Sequence, residues 1–467
     1  MQIQIINGIY TDNSPDIRTS YPVNLIPTPK QSGISAGYLR PADGIVANGT
    51  GPGIDRGGIN WNGTCYRVMG TKLVTVANDG TVTVLGDVGG PTTTFVTMDY
   101  SFDRLAIASG GRLYYWNGTL TQVTDPDLGT VLDMCWVDGY FMTTDGQYLI
   151  VTELGNPLDI NPLKYGSSEI DPDPVVALLK LRNEVYALNR NTIEVFDNVG
   201  GDFFPFQRID GAQIQKGVIG TFGCCVYLES VAFLGSGRNE APGIYIGANA
   251  TAQKLSTQEI DELLQTYTDA QLATVKLEAK NDRSHEHLYV HLPDKTLVYD
   301  AAASKELETN VWFILTTSTV GFSQYRAQNF VWAYDKWLVG DPQSSNVGYL
   351  VDNIGTNWGQ IVRWEFGTII VYNEGNGAIF NKLELVSLTG RVALGVDPII
   401  TTSYSIDGMT WSQDRPLRVG TIGNTTKRLA WFQQGHMRNW RIQRFRGDSQ
   451  SHLSFARLEA QLEPLAY

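Results

Sequence analysis

The feature that most constrains the fold of this chain is a recurring unit of two short apolar runs joined by a tight turn. It occurs at residues 65–68 with 73–74, 105–107 with 113–115, 140–142 with 148–150, and 185–188 with 193–195. It returns at 231–233 with 244–246, 288–290 with 297–299, and 330–332 with 337–339. Asn-Gly and Asp-Gly pairs punctuate the same stretch, as at Asn62-Gly63, Asp79-Gly80, Asn117-Gly118, Asp138-Gly139 and Asp145-Gly146. These pairs accept the positive φ of a type I′ turn, so each marks a hairpin tip. Successive units begin about forty residues apart, the spacing of four-stranded propeller blades, although neither a WD nor a kelch signature is present. The expectation is an all-β chain built on a six- or seven-bladed β-propeller.

Composition excludes the main rivals. Hydrophobic residues make up 42% and charged residues only 18%, the reverse of what a disordered chain needs. The 48 glycines and 19 prolines interrupt any long helix or coiled coil too often. A length of 467 residues leaves room for more than one domain. One blade interval is longer than the rest. Ser256-Thr257-Gln258-Glu259 reads as a capping box, and Ile260, Leu263, Leu264 and Tyr267 follow at helical spacing. A short helical insertion is therefore expected at about 256–273, packed on a blade. The rhythm changes near Trp358, and strand-like runs at 368–372, 383–388, 399–405, 428–432, 440–445 and 453–462 suggest a C-terminal β-sandwich. The expected domains are an extended, Pro/Gly-rich N-terminal arm over 1–59, the propeller over 60–355 and the sandwich over 356–467.

Cys65, Cys135, Cys224 and Cys225 lack the C-x-x-C spacing of a zinc site and read as reduced, mostly buried thiols. The first twenty residues have neither a basic start nor an apolar core, so no signal peptide is expected. No apolar run reaches the ~20 residues of a membrane helix. The N-x-S/T sequons at Asn48, Asn62, Asn117, Asn249 and Asn424 are read as turns, not glycan sites.

Little in the sequence points to catalysis. His285, His287 and His291 form H-x-H-x3-H on a predicted strand, which places them on one face with Tyr289 while Leu288, Val290 and Leu292 face the core. His285 and His291 lie about 20 Å apart on such a strand, so only His285 and His287 could share an ion, two ligands short of a structural zinc set. No metal site and no cofactor are expected. Gly33-Ile34-Ser35-Ala36-Gly37 fits G-x-S-x-G, but Pro27, Pro29 and Pro41 flank it and the β–α alternation of a nucleophile elbow is missing. No phosphate-binding G-x4-GK[ST] loop occurs. The segment from Ser405 to Trp411 approaches an Asp-box hairpin around Asp407-Gly408, a fold element that adds no chemistry.

Charge is distributed unevenly. Between Arg415 and Arg457 lie nine Lys or Arg and one acid, net +8, which leaves −21 for the remainder of a chain whose total is −13. A solvated basic edge is the plain explanation. The functional one is that Arg415, Arg418, Lys427, Arg428, Arg438, Arg441, Arg444 and Arg446 meet an acidic partner or a second copy of the chain.

The order of several short segments resembles the packaged-DNA stabilisation proteins of short-tailed phages, which form the tail hub or nozzle. The matching segments are Pro22-Val23-Asn24-Leu25, Thr28-Pro29-Lys30, Gly37-Tyr38-Leu39-Arg40, Gly44-Ile45, Thr192-Ile193-Glu194, Gln215-Lys216-Gly217-Val218 and Gly220-Thr221. They continue through Ala232-Phe233, Ala241-Pro242, Tyr245-Ile246, Tyr267-Thr268, Ser284-His285-Glu286, His291-Leu292-Pro293 and Leu297-Val298-Tyr299-Asp300. The likeness thins after about residue 355, and His287 is not part of the pattern. It implies a non-enzymatic virion component made and assembled in the host cytoplasm. As a ring, expected to be hexameric, it would sit below the portal and its adaptor ring, retain packaged DNA, dock the tail needle and seat the tailspikes. DNA would pass through the channel without specific binding, which suits an acidic body that repels phosphate. The rival readings are a carbohydrate-binding or glycoside-hydrolysing propeller, favoured by the near-Asp-box, and a host-receptor adhesin.

Overall fold

The structure is a computed structural model that describes residues 1–6, 22–30, 35–450 and 452–465. Seven four-stranded antiparallel sheets make the propeller. Blade 1 holds Asp55–Trp61, Thr64–Met69, Lys72–Val76 and Val82–Asp87, and blade 2 holds Thr97–Tyr100, Leu105–Ser109, Arg112–Trp116 and Leu120–Gln122. Blade 3 runs from Asp133–Val137 to Ile160–Ser167, blade 4 from Val175–Leu181 to Phe206–Arg208, and blade 5 from Cys224–Tyr227 to Thr251–Lys254. Blade 6 comprises Lys276–Asp282, His285–His291, Thr296–Asp300 and Val311–Leu315. Blade 7 takes Gln328–Ala333, Lys336–Gly340 and Asn346–Val351 from late in the chain and Gly44–Thr50 from its beginning. The first strands of successive blades touch all the way round and line a central bore.

Seven apolar clusters each fill one seam between neighbouring blades, from Val68 and Leu73 against Leu105 and Ile107 round to Val74 and Val76 against Val331 and Leu338. Both faces of a blade are therefore covered, which is why its middle strands read as continuous apolar runs. The histidine strand is one of them. Its odd-numbered face is not a solvent face: His287 and His291 are as buried as Leu288 and Val290, because blade 7 packs against that side through Phe330 and Tyr325.

Hydrogen bonds from the innermost strands reinforce the seams. Asp133 of blade 3 accepts from Thr97 Oγ1 at 2.6 Å in blade 2 and from the Leu178 amide at 2.8 Å in blade 4. Asp99 of blade 2 accepts from the Trp136 amide of blade 3 at 2.6 Å. At the closing seam, Arg67 of blade 1 donates through Nη1 to both oxygens of Asp55, at 3.1 and 3.0 Å, and through Nη2 to the Asn329 carbonyl of blade 7 at 2.9 Å. Asn329 Nδ2 in turn donates to Asp55. Gly340 of blade 7 leaves the space this carboxylate occupies, since a Cβ there would collide with it.

The remaining strands form a two-sheet sandwich. One sheet orders Leu25–Pro29, Gly37–Pro41, Phe455–Pro464, Ala378–Ser387 and Leu429–Phe432, with Gln2–Ile3 added along Phe455–Pro464. The other orders Arg363–Gly367, Trp440–Asp448, Ile399–Ser405 and Arg415–Arg418. Trp364, Phe366, Phe445 and Phe455 stack between them with ring centroids 4.9–5.2 Å apart. The expected arm over 1–59 is thus replaced by something more integrated: its described residues supply strands to the sandwich, close blade 7 and open blade 1. Pairing with partners about 300 or more residues away satisfies backbone groups that a draped arm would leave to water.

The helical insertion contains Gln258–Gln265 and Asp269–Leu272. The capping box falls at Thr268 and Gln271 of the second helix. The first helix is preceded by Thr257 without a side-chain cap, because Ser256 Oγ is engaged by the Ile244 amide and Asp261. Ile260 and Leu264 pack into the seam between blades 5 and 6. A third helix, Ala301–Leu307, was not anticipated. Asp300 caps it by accepting from the Ala303 amide at 3.1 Å.

Candidate functional site

Three places could carry function: the bore, the basic edge of the sandwich and the histidine strand. The bore is obstructed. Phe95, just before blade 2, and Phe222, just before blade 5, meet edge-to-face with ring centroids 5.4 Å apart. Blades 2 and 5 are not neighbours, so this contact crosses the bore. Lys276 Nζ of blade 6 lies 4.7 Å from the Phe95 ring centroid, a cation–π distance. Beside the plug is a cavity of about 410 Å³ lined by Asp99, Asp133, Cys135, Lys180, Cys224 and Lys276 among others. Its wall carries both signs of charge. Burial lifts the Asp133 carboxyl to about 6, against the hydrogen bonds from Thr97 and Leu178. Burial would also lift Glu278, but Lys276 and His291 outweigh it and hold that carboxyl down at about 2.

The basic edge divides on inspection. Arg441 is not at the surface. Its guanidinium lies between the Phe380 and Tyr404 rings, 4.1 and 3.8 Å from their centroids, and donates to the Gln434 carbonyl at 2.6 Å and to Gln443 Oε1. Burial brings it down to about 9. Arg441 has the parity of Phe445 and so faces the sandwich interior, where Phe380 of the opposite sheet, Tyr404 of its own sheet and the Gln434 carbonyl receive it. Arg444 is half-buried over the Trp411 ring at 3.8 Å. Arg418 pairs with Asp397 at 3.1 Å, Arg428 with Glu384, and Arg446 with Asp414. Arg415 donates to the Phe432 and Gln433 carbonyls. Lys427 and Arg438 stand exposed with no ion pair among the described residues. Several exposed apolar side chains share this domain, including Leu394, Met409, Ile422 and Phe432.

On blade 6, His285 Nδ1 lies 2.6 Å from Asp300 Oδ2 and His287 Nε2 lies 3.4 Å from the same oxygen. His291 is drawn the other way, to Thr296 Oγ1 at 3.1 Å and Glu278 Oε2 at 3.2 Å. Burial would raise the Asp300 carboxyl, but the hydrogen bond with His285 and the close approach of the His287 ring outweigh it and hold it well below the carboxylate range. Asp300 was missed in the sequence. The signal that finds it is hairpin register, which sets it directly opposite His287.

The other motifs resolve into turns. Ser35 donates to the Gly37 carbonyl between two paired strands, with no helix after it; Gly33 and Ile34 lie outside the described residues. Asp407 accepts from the Met409 and Thr410 amides at 2.9 and 2.7 Å and from Ser405 Oγ at 2.9 Å, so the near-Asp-box is a self-capped turn. Cys65, Cys135 and Cys224 are buried free thiols, and Cys225 is half-buried and free.

A family model described as the β-propeller of bacteriophage P22 Gp10 matches residues 1–355, and one described as the β-sandwich of the same protein matches 363–463. The chain belongs to the P22 Gp10 family. This Gp10 relative is 27% identical over 460 residues to the tail hub protein gp10 of Salmonella phage P22, a match covering 94% of each chain. Among solved structures, the Gp10 fold is similar to the Pan2 WD40 domain of Neurospora crassa, at 11% identity and a TM-score of 0.43 over 66% of this chain and 95% of that one. It is also similar to virginiamycin B lyase of Staphylococcus aureus, at 11% identity and a TM-score of 0.40 over 64% of this chain and 94% of that one. Neither likeness bears on function.

Proposed function

We propose that this Gp10-family chain is a structural tail hub, a virion component that works by shape and contact and turns over no substrate. The observation that carries the reading is that its relationship to a tail hub protein extends through both domains and nearly the whole of each chain. In this reading several copies, expected to number six, form a ring below the portal and its adaptor. The ring retains packaged DNA and offers seats for the tail needle and the tailspikes.

The plugged bore refines how such a ring would conduct DNA. The major groove alone of a duplex is about 12 Å wide, whereas the Phe95 and Phe222 ring centroids are 5.4 Å apart. The conduit is therefore the space enclosed between copies, and each propeller is a solid wall element. An excess of acidic residues outside the basic edge favours a wall past which phosphates slide. Lys427 and Arg438, with the exposed apolar side chains of the same domain, are the surface we assign to contact with a neighbouring copy. Particles assembled without this chain should package DNA and then lose it. Stable, filled heads in its absence would overturn the proposal.

A further inference from the structure

The cluster on blade 6 has the donor set of a metal centre. His285 and His287 sit at i and i+2 on one strand, so both rings leave the same face, with centroids 5.8 Å apart. Asp300 enters from the next strand in direct register with His287. One donor atom from each residue lies within 4.8 Å of the other two. The separation of His287 Nε2 and Asp300 Oδ2, 3.4 Å, is already what two ligands about 2.0–2.2 Å from one zinc-sized ion require. The His285 contact, at 2.6 Å, would open by less than an ångström.

A second observation points the same way. His287 is fully buried and both its ring nitrogens lack a hydrogen bond; Nε2 is close to Asp300 but not aligned with it. A buried polar atom without a partner is destabilising, and a metal ion on Nε2 would satisfy that one of the two nitrogens. His285 keeps partial contact with solvent, which provides an entry path and a water for the fourth position. The charges facing the site are Lys280, opposite His287 and bonded to Asp43, and Asp282, opposite His285 and bonded to Arg40. Each cation there is matched by a carboxylate.

We propose that His285, His287 and Asp300 bind one divalent transition-metal ion of the zinc class, with water completing a four-coordinate site. The second missing ligand of the sequence reading is thus the solvent and the first is Asp300. The site sits at the root of helix Ala301–Leu307, which Asp300 caps. That helix touches strand Leu25–Pro29 and places Leu307 against the sandwich core. Its role is accordingly a clip that stiffens the joint between propeller and sandwich. Binding moves the His285 proton from Nδ1 to Nε2 by exchange with water and needs no redox partner.

The test uses the purified full chain stripped with EDTA and titrated with Zn²⁺ by calorimetry and with Co²⁺ by visible absorption. The expected result is one equivalent per chain, an intense four-coordinate Co²⁺ band and a raised Tm. His285→Gln, at the partly open position, should weaken Zn²⁺ binding at least tenfold while the metal-free chain melts as the parent does. Asp300→Asn, which keeps an oxygen for the helix cap, should weaken Zn²⁺ binding likewise and lower the metal-free Tm, since the carboxylate bonded to His285 is lost. His436→Gln, at an exposed histidine elsewhere, should change nothing. A folded parent chain that takes up no Zn²⁺, or His285→Gln binding as tightly as the parent, overturns the proposal.

Discussion

The seam that closes the propeller gives the sharpest stability prediction. Blade 7 is completed from both ends of the chain, and the group joining it to blade 1 is the fully buried pair of Asp55 and Arg67 with Asn329. Burial lifts the Asp55 carboxyl above its ordinary value against the pull of Arg67. The Arg67 guanidinium is held above its own value, burial opposing and the Asp55 charge outweighing it. The hydrogen bonds to both carboxylate oxygens favour the ionised pair. Arg67→Met keeps the volume of the stem but leaves Asp55 buried without its cation, a loss of about 3–5 kcal/mol. At about 2 °C per kcal/mol for a domain of this size, the propeller Tm should fall by about 6–10 °C. The double variant Asp55→Asn/Arg67→Met removes the stranded charge and keeps an acceptor for Asn329, so it should recover at least half of the loss. Calorimetry and urea denaturation of the three chains measure this directly. A single variant costing under about 1 kcal/mol, or a double variant no better than the single, would refute the role assigned to the pair.

Three further outcomes are expected. With a native value of about 6 for Asp133 and an ordinary one of about 3.9, the folded chain holds that proton more tightly. Its contribution to stability is therefore greatest below pH 4 and is lost as pH rises to 6; Asp133→Asn should flatten this window, by about 2–3 kcal/mol between pH 4 and pH 7 in paired urea titrations. Asn24, at φ +52°, donates to the Thr316 and Arg363 carbonyls at 2.9 and 2.7 Å and accepts from the Thr316 amide at 3.0 Å. Asn24→Gly keeps the backbone conformation but unties propeller from sandwich, and differential scanning calorimetry should resolve one transition into two. Lys427→Glu with Arg438→Glu should leave the Tm within about 1 °C, as surface changes do, yet weaken self-assembly measured by light scattering and change its salt dependence.

Much of the propeller was legible because its units are local. The hairpins announce themselves within fifteen or so residues through two apolar runs about a short turn, some of them with an Asn-Gly or Asp-Gly tip. What the sequence hid was non-local. Gly44–Thr50 reads as loop-like Gly and Asn, and only its partner at Asn346–Val351 makes it a strand. Val23 was visible as part of a motif, but not as the residue that bonds Glu365 of the sandwich while its neighbours Pro22 and Asn24 bond Ile314 of blade 6. The sandwich strands were placed best where one face is apolar, as at Ile399–Ser405. Arg363–Gly367 and Arg415–Arg418 were missed because charged residues interrupt the pattern. Arg441 was misassigned to the surface for a related reason: charge suggests exposure, and nothing in sequence spacing reveals two aromatic rings waiting on either side. Asp300 escaped notice because its importance lies in cross-strand register.

The account stands most directly on an image of the assembled tail at a resolution that traces this chain. It predicts several copies arranged about the tail axis, each propeller bore displaced from that axis and closed by Phe95 and Phe222, with the DNA path running between the copies. A tail axis that threads a propeller bore, or a mature tail from which the chain is absent, would contradict it.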